Sequence, residues 1–131
     1  MNFDFKDTVK LIAAASAFVI AFFINLHIFY QLLIVFALTD ILVGFLAGGK
    51  EGKLSSTISF QGMRKKAIMF ILVGLSEFIG KSVGVPIGIA VASFYMTSEG
   101  LSIIENSIAA GLPVPDILKN TIAQFSKKES V

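Results

Sequence analysis

The sequence predicts an all-α integral membrane protein with about four membrane-embedded helices, the third and fourth separated at Pro86, and a short C-terminal amphipathic helix. Three observations predict it. The composition is 55% hydrophobic and only 15% charged, with a mean hydropathy of +0.82, whereas soluble domains carry roughly 25% charge. Residues 9–48 form one charge-poor apolar run, longer than the ~20 residues that one helix needs to cross a bilayer. A basic loop then separates that run from a second apolar half. The 131 residues leave room for a single membrane domain, 1–131. The chain has no Cys, which excludes disulfides, thiolate catalysis and Cys-based metal sites.

The first apolar run divides at Asn25-Leu26-His27 into helices at roughly 9–24 and 28–47. A three-residue junction makes them antiparallel neighbours. A cleaved signal peptide does not fit the first segment. Its apolar part is too long, and Lys6 and Lys10 are balanced by Asp4 and Asp7. Residues 48–66, "GGKEGKLSSTISFQGMRKK", read as a polar loop with Lys50, Lys53, Arg64, Lys65 and Lys66 against Glu51 alone. By the positive-inside rule this loop is cytoplasmic, with the N-terminus inside and the Asn25–His27 turn outside. A third helix runs over 67–85, and Pro86 opens a fourth to residue 110. The tail, 111–131, is mildly basic through Lys119, Lys127 and Lys128, which puts the C-terminus inside as well. Two inside termini require an even number of crossings. Three spans with a re-entrant or interfacial fourth piece is the alternative.

Polar residues inside these segments carry the functional argument. On a helix after Pro86, Ser98, Glu99, Ser102, Glu105 and Asn106 recur at three- and four-residue steps and form a polar stripe, while Phe94, Leu101, Ile104 and Ile108 populate other faces. A charge at mid-helix costs at least ~2.5–3.5 kcal/mol in hydrocarbon. The stripe therefore meets water, another polar surface, or the headgroup layer as an interfacial helix. Asp40 lies within the second segment, as an ion site, a cap, or a partner for Arg64 or Lys65. Glu77 and Lys81 stand at an i, i+4 spacing that allows an ion pair. Small residues offer close-packing faces: Ala13, Ala17 and Ala21 on the first helix, Gly44 and Gly48 on the second, and Gly80, Gly84 and Gly88 across the end of the third. These faces suit packing within the chain and between copies equally.

Enzyme signatures are absent. The single His, His27, falls at the outer turn. No zinc-protease, Walker or nucleophile-elbow motif occurs, and "GGKEG" follows a helix rather than a strand, so it is no phosphate cradle. The sequence therefore implies no cofactor, metal or catalytic residue. The loop lysines are explained by topology and lipid phosphates without nucleic acid.

Three stretches resemble the phage-lysis and toxin-secretion holins. "LTDILVGFLAG" resembles their L-D-x-x-x-G pattern, and "LSSTISFQGMRKKAIMFILVGLSEFIG" their S-S loop with G-x-x-K-K leading into a span. "FYMTSEGLSIIENSIAAGLPVPDILKN" is similar to their Glu-Gly-x-Ser-x-x-Glu-Asn helix followed by Gly-x-Pro-x-Pro. The resemblance covers roughly residues 32–120. It implies a protein that oligomerises with itself in the bacterial cytoplasmic membrane and permeabilises it, letting out a cell-wall hydrolase or a toxin. It points to Asp40, Gly44, Ser56, Gly62, Lys65, Lys66, Glu99, Ser102, Glu105, Asn106, Gly111, Pro113 and Pro115. Glu77 and Lys81 depart from the family pattern. The residues alone also allow a small ion-coupled transporter or channel using Glu99 and Asp40, or a non-conducting membrane scaffold.

Overall fold

Hydropathy and punctuation together set the architecture. The computed structural model describes residues 4–51 and 56–129 and, among these, consists of five helices. They are α1 (Phe5–Ile24), α2 (Ile28–Glu51), α3 (Ser56–Val83), α4 (Ile87–Ala109) and α5 (Asp116–Glu129). Among the described residues, α1, α2 as far as Gly49, and α4 are long and apolar enough to cross a membrane. α3 has Arg64, Lys65 and Lys66 in one half and Glu77 and Lys81 in the other, so it has no comparably long charge-poor stretch.

The polar loop expected at 48–66 is shorter than the sequence reading placed it. α2 continues to Glu51 and α3 begins at Ser56. The reading followed hydropathy, but Gln, Met, Arg and Lys are all strong helix formers. Gln61, Met63, Arg64 and Lys65 therefore extend α3 outward as an exposed helical stretch, and Lys66 follows on its partly buried side. At 1.5 Å per residue its 28 residues span about 42 Å, well beyond the ~30 Å hydrocarbon layer.

Two helix ends are built alike. After α3, Gly84 takes φ +71° and the Val85 N–H donates to the Gly80 carbonyl at 3.0 Å. After α4, Gly111 takes φ +89°, the Leu112 N–H donates to Ser107 O at 3.0 Å and the Gly111 N–H to Ile108 O at 2.9 Å. Both are left-handed glycine closures of the Schellman kind, and a Pro two residues later (Pro86, Pro113) prevents resumption. The α1–α2 turn uses side chains instead. Asn25 Nδ2 donates to Ala21 O at 2.7 Å, and Gln31 Nε2 lies 2.9–3.2 Å from the carbonyls of Phe23, Ile24 and Leu26. Ala21 O and Phe23 O also accept the backbone N–H groups of Asn25 and Leu26, so the side chains add to a turn whose end carbonyls are short of helical partners.

α4 is the centre of the bundle and packs against both α2 and α3. The core is small: Leu33, Ala37, Met69, Val73 and Ala92, with Tyr30, Val91, Tyr95 and Met96 against it. Most other large apolar side chains are exposed, as expected where lipid is the solvent. No residue of α1 is buried, and Ala13, Ala17 and Ala21 are exposed on the single chain.

Candidate functional site

Asp40 and Gly44 lie one turn apart on α2, and Glu99 and Asn106 two turns apart on α4. Asp40 is twelve residues into α2 and Glu99 twelve into α4, so each lies about 18 Å along its helix. The two helices run parallel. Tyr30, near the start of α2, is close to Gly88, near the start of α4, while Gly44 lies against Asn106 farther along. α3 runs the other way and brings Lys66 to the same depth.

The result is a closed polar quartet in an otherwise apolar bundle. The Lys66 Nζ donates to Asp40 Oδ2 at 2.8 Å and to the Glu99 carboxylate. The Asn106 Nδ2 donates to Asp40 Oδ1 at 3.0 Å. Gly44 makes room for this: a Cβ there would stand 3.3 Å from Asn106 Nδ2. The side chains of Asp40, Lys66 and Glu99 retain only 12%, 13% and 12% exposure, so they face one another rather than the surroundings. Among the described residues no buried side-chain nitrogen or oxygen lacks a hydrogen-bond partner. The quartet ties α2, α3 and α4 together. Removing one partner from such a buried ion pair costs ~3–5 kcal/mol, because an uncompensated charge is left behind.

A second cluster closes the opposite end of the bundle. The Tyr30 hydroxyl donates to Glu77 Oε2, and Lys81 Nζ lies 3.3 Å from Glu77 Oε1, at the i, i+4 spacing noted in the sequence. Gly88 of α4 backs directly onto Glu77; a Cβ there would stand 2.7 Å from Glu77 Cα. The cluster lines a cleft of about 440 Å³, together with Phe22 of α1, the Asn25–His27 turn, and Leu33, Phe70 and Val73 of α2 and α3.

The stripe read along α4 therefore divides. Glu99, Ser102 and Asn106 are half-buried, and Ser98 and Glu105 are exposed. Asp40 is paired with Lys66 rather than with Arg64 or Lys65, both of which are exposed. Lys50 belongs to α2, and Lys53 lies outside the described residues. Gly80 is buried, and a Cβ there would stand 2.5 Å from Val85 O. Gly48 is half-buried, and Gly84 forms the α3 closure. Sequence reasoning missed Tyr30 and Gln31. Each is a polar side chain in an apolar run beside a turn, and that is the pattern that could have identified them.

A model of the bacteriophage holin family matches residues 17–127. An uncharacterised protein of Listeria monocytogenes is 38% identical over 100 residues, covering 75% of this chain and 71% of that one. An uncharacterised 14.9 kDa protein from the nagH 3′ region of Clostridium perfringens is 31% identical over 100 residues, 74% of this chain and 76% of its own length. A protein of Bacillus phage phi105 named a probable holin is 26% identical over 96 residues, 72% of this chain and 71% of that one. No solved structure matches the chain.

Proposed function

The chain belongs to the bacteriophage holin family, and from that premise we propose that it assembles with itself in the bacterial cytoplasmic membrane and permeabilises it, releasing a cell-wall hydrolase or a toxin. One observation carries the reading: the Asp40–Lys66–Glu99–Asn106 quartet, enclosed between three helices of a chain most of whose large apolar side chains face outward. Pairing Asp40 and Glu99 internally removes two carboxylates that lipid would oppose, and leaves Glu105 as the exposed carboxylate of α4. Its 131 residues are too few to enclose a wide pathway, so permeabilisation requires several copies and a rearrangement.

In this mechanism the quartet holds the polar side of α4 inward while copies accumulate. Parting of α2 from α4 breaks the Asn106–Asp40 bond and the Lys66 bridge. Glu99, Ser102 and Asn106 then join Ser98 and Glu105, already exposed, as one continuous wettable surface. Such a surface is stable only against water or another like it. α3 crosses as well, which makes four crossings, with both termini and the segment between α2 and α3 cytoplasmic. Residues Arg64 and Lys65 then lie on the cytoplasmic side.

Induced expression in a bacterium tests the proposal. The expected result is an abrupt loss of membrane potential together with release of a cytoplasmic reporter protein. Selective ion flux without protein release would instead support an ion-coupled transporter. One observation favours that second reading: the quartet has two carboxylates and one ammonium, an excess negative charge that attracts a cation. Neither effect would leave a non-conducting scaffold.

A further inference from the structure

We infer that α5 is an in-plane membrane-surface helix whose apolar side is seated in a layer of anionic phospholipid at the end of α4. The inference rests on α4 crossing the membrane and not on permeabilisation.

The geometry begins at Gly111. Its left-handed conformation ends α4 sharply, and Pro113 and Pro115 leave only a short, stiff connection before α5 opens at Asp116. The Pro115 carbonyl accepts the first bonds of the new helix, from the N–H groups of Leu118 at 3.0 Å and Lys119 at 3.4 Å. α5 thus starts within one short turn of the point where an apolar, membrane-length helix stops. The connection holds it at headgroup level.

The chemistry of α5 suits that level. In the sequence of α5, Leu118, Ile122 and Phe125 stand at four- and three-residue spacing, the spacing of one helix face, after Ile117. Asp116, Lys119 and Asn120 fall on the opposite side of the helix. Ile117 is 74% exposed and Leu118 39% exposed, and neither belongs to the bundle core. An apolar stripe backed by a polar, lysine-bearing face is the pattern of a helix lying in a membrane interface. Lys119, Lys127 and Lys128 outnumber Asp116 and Glu129. This charge complements lipid phosphates, and the long stems of lysines let ammonium groups reach them from a helix lying in the plane. A water-soluble protein partner would have to cover the same apolar stripe while sharing space with the bilayer surface from which α5 emerges, so lipid is the occupant assigned.

The test uses the full-length protein reconstituted in vesicles. The native chain has no Cys, so Leu118→Cys and Ala123→Cys each accept a single environment-sensitive fluorophore, on the apolar and polar sides respectively. In vesicles containing phosphatidylglycerol, the probe at 118 is expected to emit at shorter wavelength. Brominated acyl chains should quench it strongly and iodide several-fold less than at 123. Replacing phosphatidylglycerol by phosphatidylcholine, or Lys119, Lys127 and Lys128 by Glu, should raise iodide access at 118. Equal iodide access at both positions would overturn the inference. So would a probe at 118 that is shielded from iodide yet untouched by brominated lipid, because protein would then be the cover. Insensitivity to lipid charge and to the lysine replacements would overturn the assignment of anionic lipid.

Discussion

Lys66 changes meaning between sequence and structure. In the sequence it is one of five cations that set topology; in the fold it is the bridge of the quartet. Asp40, Glu99 and Asn106 were legible as costly groups in apolar segments, because cost depends only on residue type and position in a span. Their partner was not legible, because Lys66 lies 26 residues from Asp40 and 33 from Glu99, and nothing in the local sequence links such distances. The expected consequence is specific. Lys66→Met leaves two carboxylates without their cation and should destabilise the chain by about 3–5 kcal/mol in micellar unfolding. Adding Asp40→Asn and Glu99→Gln should recover much of that loss, since the uncompensated charges are gone. A loss below about 1 kcal/mol for Lys66→Met, the range of an exposed pair, would show that the bridge does not hold the helices together.

At the level of elements, α3 ends at Val83 and α4 begins at Ile87, with Pro86 between them, and left-handed Gly84 and Gly111 close the two helices. The charge of residues 61–66 predicts a loop on hydropathy, whereas these residues lie within α3, because charge does not by itself make backbone irregular. The small-residue spacing alone suits packing within the chain and between copies equally, and Gly44 and Ala17 stand in unlike surroundings. Gly44 admits the Asn106 side chain, whereas Ala17 lies on a helix with no buried residue. Gly44→Leu should therefore displace Asn106 and cost about 1–3 kcal/mol of monomer stability, as overpacking does. Ala17→Leu should leave monomer stability within about 0.5 kcal/mol while changing the ladder of cross-linked species in membranes. Two equal losses of monomer stability would mean that α1 packs on its own bundle. An unchanged ladder for Ala17→Leu would remove that face from assembly.

For the whole molecule, the open quantity is what crosses the membrane and what turns. Single-Cys labelling decides the first. Val85→Cys, in the exposed turn between α3 and α4, should react with an impermeant reagent from outside the cell, and Ser56→Cys, at the start of α3, should not. Identical labelling of both would place the two ends of α3 on one side and remove it as a crossing. The second question concerns Glu99 and Glu105, which have unlike surroundings: Glu99 is held by Lys66, and Glu105 is exposed. Replacing both by Leu removes two groups that oppose insertion and removes their share of the wettable surface that opening would create. The Glu99→Leu, Glu105→Leu pair should therefore accumulate in the membrane at normal or higher level and fail to release protein. The Glu99→Gln, Glu105→Gln pair keeps hydrogen-bonding capacity: a carboxamide at position 99 can still accept from Lys66, and one at position 105 still faces outward. That pair should retain much of the release, with altered timing because the Lys66 bridge has lost one charge. An ion-coupled transporter orders the variants differently, since loss of charge at Glu99 would disable it in either replacement. Release timing at matched expression distinguishes them, and normal release by the Leu pair would show that α4 does not present these carboxylates to water when the membrane opens.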